Sequence, residues 1–438
     1  MADIRDFKCP ACGGSLKFDS DSQNVTCPYC DAIYSKQDLI ELDEDINEKY
    51  DEQIVWDEVD QAMYSEEEAK GMSVYHCDSC GGEVICGENT SATSCPYCGN
   101  AILIKSKISG ELKPKIIIPF KIEKEQASES FKKYFSSKFF IPSRFKKECQ
   151  IKESDSMYVP YWLFSADVDG TVRFNGEVVR RWSDSNYDYK EVKYYRLYRY
   201  GLIAFDDIPV DASAKMPNDL MESIEPFDIR DHKEFLSGYL AGYKAERYDV
   251  SKEENQKRAN VRIKEGTVDA LRKTVTGYSN VTVYDSKILL SNQLCNYALY
   301  PIWMLTVNWE ENNYIFAVNG DTGKVAGKYP ISKLKVALVV ALITIACLAL
   351  FSLIGIAILE DTAYGILFGI AFGILGLIAS LVLITKSLKK RVSLVHGARD
   401  YERPGSFKLL DRKDIFLYRR VYKTRRSDSS SSSRSRRR

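Results

Sequence analysis

The feature that most constrains this chain is a set of eight cysteines arranged as two copies of one pattern. Each copy has two C-x-x-C pairs with 14 residues between them, and two glycines follow the first pair. This spacing is close to that of four-cysteine zinc sites, in which four thiolates surround one structural ion. The pattern therefore predicts two zinc ribbons and two structural Zn²⁺ ions. The predicted ligands are Cys9, Cys12, Cys27 and Cys30 in the first ribbon and Cys77, Cys80, Cys95 and Cys98 in the second.

The sequence CPYC occurs in both copies, at residues 27–30 and 95–98, and the same four letters can form a redox-active dithiol. A redox pair follows a buried strand and opens a helix, because the helix N-terminus lowers the thiol pKa. Neither copy has that context, so the sequence favours metal binding. We expect the ribbons to cover residues 5–40 and 73–106, which are too short to bury a useful core without a metal.

Two apolar stretches near the C-terminus predict a transmembrane hairpin. Residues 336–359 and 365–385 contain no charged residue, and each is long enough to span a hydrocarbon core of about 30 Å. Lysines and arginines flank both outer ends, whereas the five-residue linker has none, which by the positive-inside rule places both termini in the cytoplasm. Clustered thiolates also indicate a reducing compartment. The predicted location is the cell membrane, as a multi-pass protein.

Charge is distributed unevenly outside the apolar stretches. Residues 41–72 form a predicted acidic linker or helix, in which residues 41–68 hold 13 Asp and Glu against one Lys. This segment is either solvated or a docking site for a basic partner, and the solvated alternative is favoured. Residues 386–438 form a predicted basic cytoplasmic tail, Ser/Arg-rich at its end, which we expect to contact anionic headgroups or a partner protein.

Residues 112–330 predict an α+β domain with an antiparallel sheet. Segments rich in aromatic and β-branched residues predict strands, and residues 123–139 and 231–273 have helical patterns. The sequence PYWL at residues 160–163 is echoed by PIWM at residues 301–304, which suggests that the domain is duplicated. The predicted fold class is therefore multidomain: two ribbons, this α+β domain and the C-terminal hairpin.

The sequence gives little support to catalysis. It contains three histidines, His76, His232 and His396, and none lies in a recognisable catalytic motif. The segment GDTGKV at residues 320–325 lacks the spacing of a phosphate-binding loop and is better explained as a hairpin turn. We therefore predict that the protein is not an enzyme and has no cofactor other than zinc.

Nucleic-acid binding is the main alternative to protein binding, because zinc ribbons occur in transcription and replication proteins. The segment YYRLYRYG at residues 194–201 interleaves tyrosine and arginine and could stack bases, although an exposed sheet face is the more common explanation. The ribbons and their linker are acidic, whereas phosphate binding needs clustered Lys and Arg. Nucleic acid is thus an unlikely partner on these grounds, and exposed ribbon residues such as Tyr29 and Tyr97 are expected to contact a protein.

Glycines in the second apolar stretch predict close helix packing. Gly365, Gly369 and Gly373 are spaced four apart, which lets another helix approach closely. The neighbour is either the first apolar helix, which is slightly favoured, or a second copy of the chain, so a homo-oligomer is possible.

The motifs CPACGG…CPYC, CDSCGG…CPYCGN and YVPYWLFSADVDG, with the double apolar stretch, resemble a family of bacterial double zinc-ribbon membrane proteins of the YdjG type, whose ribbons are of the TFIIB type. The resemblance implies a role in the envelope-stress apparatus, near phage-shock-type or flotillin-like membrane proteins. The leading hypothesis is a membrane-anchored cytoplasmic scaffold that recruits protein partners to the bacterial inner membrane. The alternative is a membrane-tethered nucleic-acid-binding protein.

Overall fold

A long antiparallel sheet dominates the part of the chain that the computed structural model describes. The described residues are 9, 14–19, 24–29, 33–34, 56, 63–65, 72–87, 95–98, 100, 103–107, 112–148, 155–310, 312–359, 362–389 and 397–426. The strands are β1 (Lys17–Asp19), β2 (Asn24–Thr26), β3 (Ile33–Tyr34), β4 (Met72–His76), β5 (Glu83–Gly87), β6 (Leu103–Lys107), β7 (Ile116–Ile117), β8 (Asp155–Ser183), β9 (Tyr187–Asp211), β10 (Lys233–Glu234), β11 (Lys244–Glu246), β12 (Asn280–Trp309), β13 (Asn312–Asn319), β14 (Val325–Gly327) and β15 (Lys408–Arg425). The helices are α1 (Lys124–Ser136), α2 (Ser143–Glu148), α3 (Asn218–Ser223), α4 (Lys252–Arg272), α5 (Lys333–Leu359) and α6 (Thr362–Lys389).

Four long strands lie side by side in the order β12, β8, β9, β15, and each neighbouring pair is antiparallel. Their aromatic and β-branched residues suit a pleated surface on which alternate side chains are buried. The middle region is thus rich in sheet, as predicted. Strand β12 is a single strand of 30 residues, which continues past an irregularity between Ser291 and Leu294.

Strand β15 lies in the segment that was predicted to be a basic cytoplasmic tail. It pairs with β9 from Lys408↔Leu202 to Arg425↔Tyr187. Before it, Ala398 and Tyr401 are buried in the core, and the Ala398 backbone N–H donates to the carbonyl oxygen of Arg262 at 2.9 Å. Residues 397–426 are therefore part of the soluble domain, and the prediction of a separate tail was wrong for them. Residues 427–438 lie outside the described part of the chain.

The second ribbon joins the main sheet, although the sequence predicted a separate small domain. Its strands β4, β5 and β6 pair antiparallel, with β4 in the centre. Strand β11 then pairs antiparallel with β5 and parallel with β8. The ribbon is thereby hydrogen-bonded to the middle domain through three residues. The first ribbon has its own three-stranded sheet of β1, β2 and β3.

Helices α1 and α4 each cover part of the sheet. Helix α4 begins at Ser251, whose side chain accepts a hydrogen bond from the Glu254 backbone N–H, and it buries Ala259 and Ile263 against the sheet. Residues 231–251, which were predicted to be helical, instead contain a short 3₁₀ turn and strands β10 and β11. The apolar spacing of this segment resembles that of a helix. Its short strands form because they pair with neighbouring strands of the sheet.

Two tryptophans link the halves of the domain reciprocally. Trp162 Nε1 donates to the carbonyl oxygen of Val250, just before α4, at 2.9 Å. Trp303 Nε1 donates to the carbonyl oxygen of Ile122, just before α1, at 2.8 Å. Both tryptophans belong to the echoed PYWL and PIWM motifs, which lie next to each other on β8 and β12. Such an exchange of equivalent contacts is what a duplicated unit would produce.

The segment between the ribbons is anchored at two described aromatic residues. Trp56 packs edge-on against Phe164 with ring centroids 4.9 Å apart, and its Nε1 donates to Asn260 Oδ1 at 2.8 Å. Tyr64 packs against Phe235. Most of the predicted acidic linker or helix lies outside the described residues, but Trp56 and Tyr64 are part of the buried core.

Helices α5 and α6 are long and apolar enough to cross a membrane. They pack against each other where glycines remove side-chain bulk: Gly369 lies opposite Ser352, and Gly373 lies opposite Leu348, so close that a Cβ on either glycine would clash. Packing within the hairpin was the favoured prediction for this ridge. The Ser332 N–H before α5 donates to the Phe140 carbonyl at 2.8 Å, so both ends of the hairpin join one folded domain.

Candidate metal centre

Four cysteines of the second ribbon form a compact group. Cys77 and Cys80 lie in the turn between β4 and β5, and Cys95 and Cys98 lie in a second turn before β6. The four Sγ atoms all lie within 4.8 Å of one another. Cys77 and Cys98 Sγ are 3.6 Å apart, and Cys80 and Cys95 Sγ are 3.5 Å apart. A tetrahedral zinc site with Zn–S bonds of about 2.3 Å has sulfur atoms roughly 3.8 Å apart, so this group has the dimensions of such a site.

Each cysteine pair is held in a tight backbone turn. In the first turn, the Cys77 N–H donates to the Gly82 carbonyl at 2.9 Å, and the Gly81 N–H donates to the Cys77 carbonyl at 2.8 Å. Gly81 has φ +70°, a conformation that glycine adopts at low cost. In the second turn, the Cys95 N–H donates to the Asn100 carbonyl at 2.7 Å. The glycines that follow the first pair in the sequence are therefore required by the turn.

The first turn also favours the thiolate form of Cys77. Burial alone would raise the pKa of Cys77, but hydrogen bonds from the backbone N–H groups of Cys80 and Ser79 outweigh it and lower the pKa to about 7. Burial raises the pKa of Cys95, as expected for a buried thiol without a bound cation. A soft divalent metal would deprotonate all four thiols and pair their charges.

His76 does not belong to the four-cysteine group, although it directly precedes Cys77. Its Nδ1 lies 3.5 Å from Glu83 Oε1 and its Nε2 lies 3.7 Å from Asp78 Oδ1. The imidazole is therefore placed beside carboxylates on the ribbon surface.

The first ribbon repeats part of this arrangement. Cys9 and Cys27 are buried together with Tyr34, and the Cys9 N–H donates to the Gly14 carbonyl at 2.7 Å, the equivalent of the bond from Cys77 to Gly82. The other two predicted ligands, Cys12 and Cys30, lie outside the described residues. Within the described residues there is one complete four-cysteine group, so the first metal site stays a prediction.

The two CPYC tyrosines have different environments. Tyr29 is 74% exposed. Tyr97 packs over Gly82 and against the middle domain, and burial, followed by the neighbouring Glu246 carboxyl, raises its pKa. The prediction that both tyrosines are exposed was wrong for Tyr97, because β11 holds the second ribbon against the domain.

Sequence reasoning missed the residues that hold the second ribbon in place. Glu246 is buried at the end of β11 and accepts a hydrogen bond from the Ser213 hydroxyl. Arg247, the next residue, donates to Glu83 Oε2 of the ribbon at 3.0 Å. A three-residue strand with the sequence KAE has no pattern that predicts it, so only the structure identifies this contact.

The fold and the site define a sheet-rich protein with a four-cysteine group able to hold a metal ion and two helices able to span a membrane. Over 334 residues the chain is 36% identical to "Uncharacterized protein YdjG" of Bacillus subtilis (strain 168), an alignment that covers 76% of this chain and 92% of the relative. The chain belongs to the YdjG family. No family model matches it, and no solved structure matches it.

Proposed function

We propose that this protein is a membrane-anchored cytoplasmic scaffold that recruits a protein partner to the bacterial inner membrane. The hairpin of α5 and α6 is the anchor. Its two ends join one soluble domain, which supports a path in which the chain crosses the bilayer and returns on the same side. The flanking lysines and the clustered thiolates support the cytoplasm as that side.

The observation that carries the proposal is the exposed apolar surface of the first ribbon. Phe18, Tyr29 and Ile33 are 58%, 74% and 56% exposed. In the second ribbon the equivalent tyrosine, Tyr97, is packed against the domain. The second ribbon thus braces the fold, whereas the first packs its core against Tyr418 of β15 and leaves Phe18, Tyr29 and Ile33 exposed for binding. Large apolar and aromatic side chains supply the centre of protein interfaces.

Charge indicates the kind of partner. Residues 41–68, which follow the first ribbon in the chain, carry 13 Asp and Glu against a single Lys. A partner with an apolar centre and a basic rim would complement both the ribbon surface and this segment. The proposal assigns one structural Zn²⁺ to each ribbon, held by Cys9, Cys12, Cys27 and Cys30 and by Cys77, Cys80, Cys95 and Cys98.

The test compares Tyr29→Ala with Leu236→Ala, a control that removes an equally exposed apolar side chain, 62% exposed, from the middle domain. Membranes are divided into a sample treated with nuclease and an untreated sample. In both, the proteins bound to the full-length chain are identified by mass spectrometry. We expect one or more proteins to bind the wild type and Leu236→Ala and to move to the cytosol with Tyr29→Ala, while the chain itself stays in the membrane. Binding that is equal in both variants would contradict the role of the first ribbon, and binding abolished by nuclease would favour the nucleic-acid alternative.

A further inference from the structure

The end of the main sheet furthest from the membrane hairpin has an unusual composition. This distal sheet end comprises residues 178–194 of β8, β9 and their turn, and residues 418–426 of β15 and the residue after it. It holds nine Lys and Arg, three Asp and Glu, and six Tyr and Trp. The sequence did not reveal this concentration, because the residues of β15 and β9 that pair here are more than 220 positions apart in the chain and β15 was predicted to be a tail.

The three acidic residues of the distal sheet end already have partners. Asp184 accepts backbone hydrogen bonds from Asn186 and Tyr187. Asp188 lies 3.3 Å from Arg426, and Glu191 lies 3.7 Å from Arg419. The seven remaining cations form no ion pair with any part of the chain that the structure describes. These are Arg180, Arg181, Lys190, Lys193, Arg420, Lys423 and Arg425.

Aromatic rings alternate with cations across the three strands. The Trp182 ring stacks on Tyr189 with centroids 5.3 Å apart, and Arg180 lies over the outer side of Trp182 at 5.8 Å. Lys423 lies over Tyr187 at 3.8 Å and over Tyr189 at 5.7 Å. One row of side chains therefore presents cationic and aromatic groups in turn, and Trp182 is 40% exposed at its edge.

The distal sheet end lies far along the strands from the point at which α5 leaves the domain. The loop bonded to the start of α5 packs beside Leu305 and Phe316, next to the end of β12 that pairs with Asp155 of β8. Ser183, at the other end of β8, is 28 residues further on, a strand path of roughly 90 Å at about 3.3 Å per residue. Even if twisting halves this distance, it exceeds the screening length of about 10 Å over which anionic headgroups act.

We propose that the distal sheet end binds single-stranded nucleic acid. A nucleic-acid strand supplies both features that this surface can use, phosphates for the unpaired cations and flat bases for the aromatic groups. An acidic protein would satisfy the cations alone. The first ribbon packs against Tyr418 at the edge of the distal sheet end, whereas this inference concerns the row of Arg180, Trp182 and Lys423 and does not depend on protein recruitment.

The test measures binding of a fluorescein-labelled 20-nucleotide oligouridine to the full-length protein in nanodiscs of neutral lipid, by fluorescence anisotropy at 50–300 mM salt. We expect salt-dependent binding that weakens at least tenfold, with a shallower salt dependence, in Arg180→Glu/Lys423→Glu. The matched control is Arg412→Glu/Lys413→Glu, which makes the same charge change on an exposed part of β15 outside the distal sheet end. Trp182→Ala is expected to weaken binding several-fold without changing the salt slope, because it removes stacking and no charge.

Several results would overturn the proposal. Wild-type protein with no binding at 150 mM salt would do so, and so would an equal loss of affinity in the control pair. Competition by polyglutamate as strong as that by oligouridine would assign the surface to an acidic protein. Binding of anionic vesicles that is lost in Arg180→Glu/Lys423→Glu would assign it to lipid. Thermal unfolding of each variant shows that the fold is retained.

Discussion

Lys335 Nζ donates a hydrogen bond to the backbone carbonyl oxygen of Ile141 at 2.7 Å. The same ammonium donates to the carbonyl oxygen of Phe139 at 3.2 Å and lies 5.7 Å from the centre of its ring. The first turn of α5 is therefore fixed to the loop between α1 and α2. Phe139 is 64% exposed beside the point at which the apolar helix leaves the domain.

This contact implies that the Phe139 ring lies at the membrane interface, where aromatic side chains are favoured next to cations. In Phe139→Trp, we expect brominated lipids to quench more indole fluorescence than they quench in the wild type, whose five tryptophans give the baseline. Leu342→Trp within α5 is the positive control and Val261→Trp on α4 is the negative control. Quenching at 342 without quenching at 139 would show that the loop lies off the bilayer, whereas no quenching at either position would reject the membrane anchor itself.

Loss of the second metal site should lower the stability of the main domain more than loss of the first. We expect wild-type protein to hold two zinc ions per chain by elemental analysis, and Cys27→Ser and Cys95→Ser to hold one each. Cys95→Ser should lower the thermal midpoint of the main domain more than Cys27→Ser does, because β11 joins the second ribbon to β8. The metal assignment would fail if the protein contained no zinc and had a Cys27–Cys30 disulfide instead.

Glu246 should make stability depend on pH. Burial raises its pKa to about 8 in the folded protein, from 4.5 as an ordinary glutamate. Between these values the unfolded chain has lost the proton that the folded protein keeps, so stability falls as pH rises, by at most about 1.4 kcal/mol per pH unit. Glu246→Gln should be more stable than the wild type at pH 8 and similar at pH 5. Thermal unfolding from pH 5 to 8.5 measures this, and identical pH slopes would contradict it.

Tyr401, which follows the apolar hairpin in the chain, should stabilise the main domain through a buried hydrogen bond. Its hydroxyl donates to Glu225 Oε2 at 2.8 Å, and this buried carboxylate also pairs with Arg262 at 2.6 Å. Tyr401→Phe removes one hydrogen bond to a buried charge and should lower the free energy of unfolding by about 1–3 kcal/mol. Chemical denaturation in detergent measures the change, with exposed Tyr422→Phe as a control expected to stay within about 0.5 kcal/mol. Equal effects would mean that residues 397–403 are not held as the structure shows.

The hairpin topology can be tested by labelling whole cells. A cysteine at Thr362, the first residue of α6, should react with an impermeant maleimide from outside, because the linker that precedes it carries no cation. A cysteine at Ser427 should react only after permeabilisation. Wild-type protein labelled in parallel, before and after permeabilisation, measures the reaction of the 12 native cysteines and is the control. The reverse labelling pattern would show that the linker faces the cytoplasm and the termini face the outside.

The parts of the fold set by local pattern could be predicted from the sequence. The cysteine spacing located the four ligands that the structure brings together at Cys77, Cys80, Cys95 and Cys98. Uncharged runs of more than 20 residues located α5 and α6. Both signals depend on residues close together in the chain, whose chemistry leaves few alternatives.

The parts set by distant partners could not be predicted. Nine of the 18 residues of strand β15 are charged, and Leu417 is the one position that it fully buries, so its sequence resembles a solvated tail. Its strand conformation comes from pairing with β9, and its position next to Tyr194 also creates the distal sheet end. Strand β11 is likewise defined by β5 and β8 rather than by its own three residues.

The return of the chain to β9 has a consequence for biosynthesis. Residues 397–425, which complete the sheet and cover Glu225, are translated after both apolar helices. Until then the edge of β9 is open, and an open edge is a template for aggregation. The soluble domain can therefore reach its final form only after the ribosome has delivered the hairpin. Synthesis of the hairpin and completion of the sheet are thus ordered events, and a chain whose hairpin stays outside a bilayer would carry two uncovered apolar helices between the halves of its own sheet.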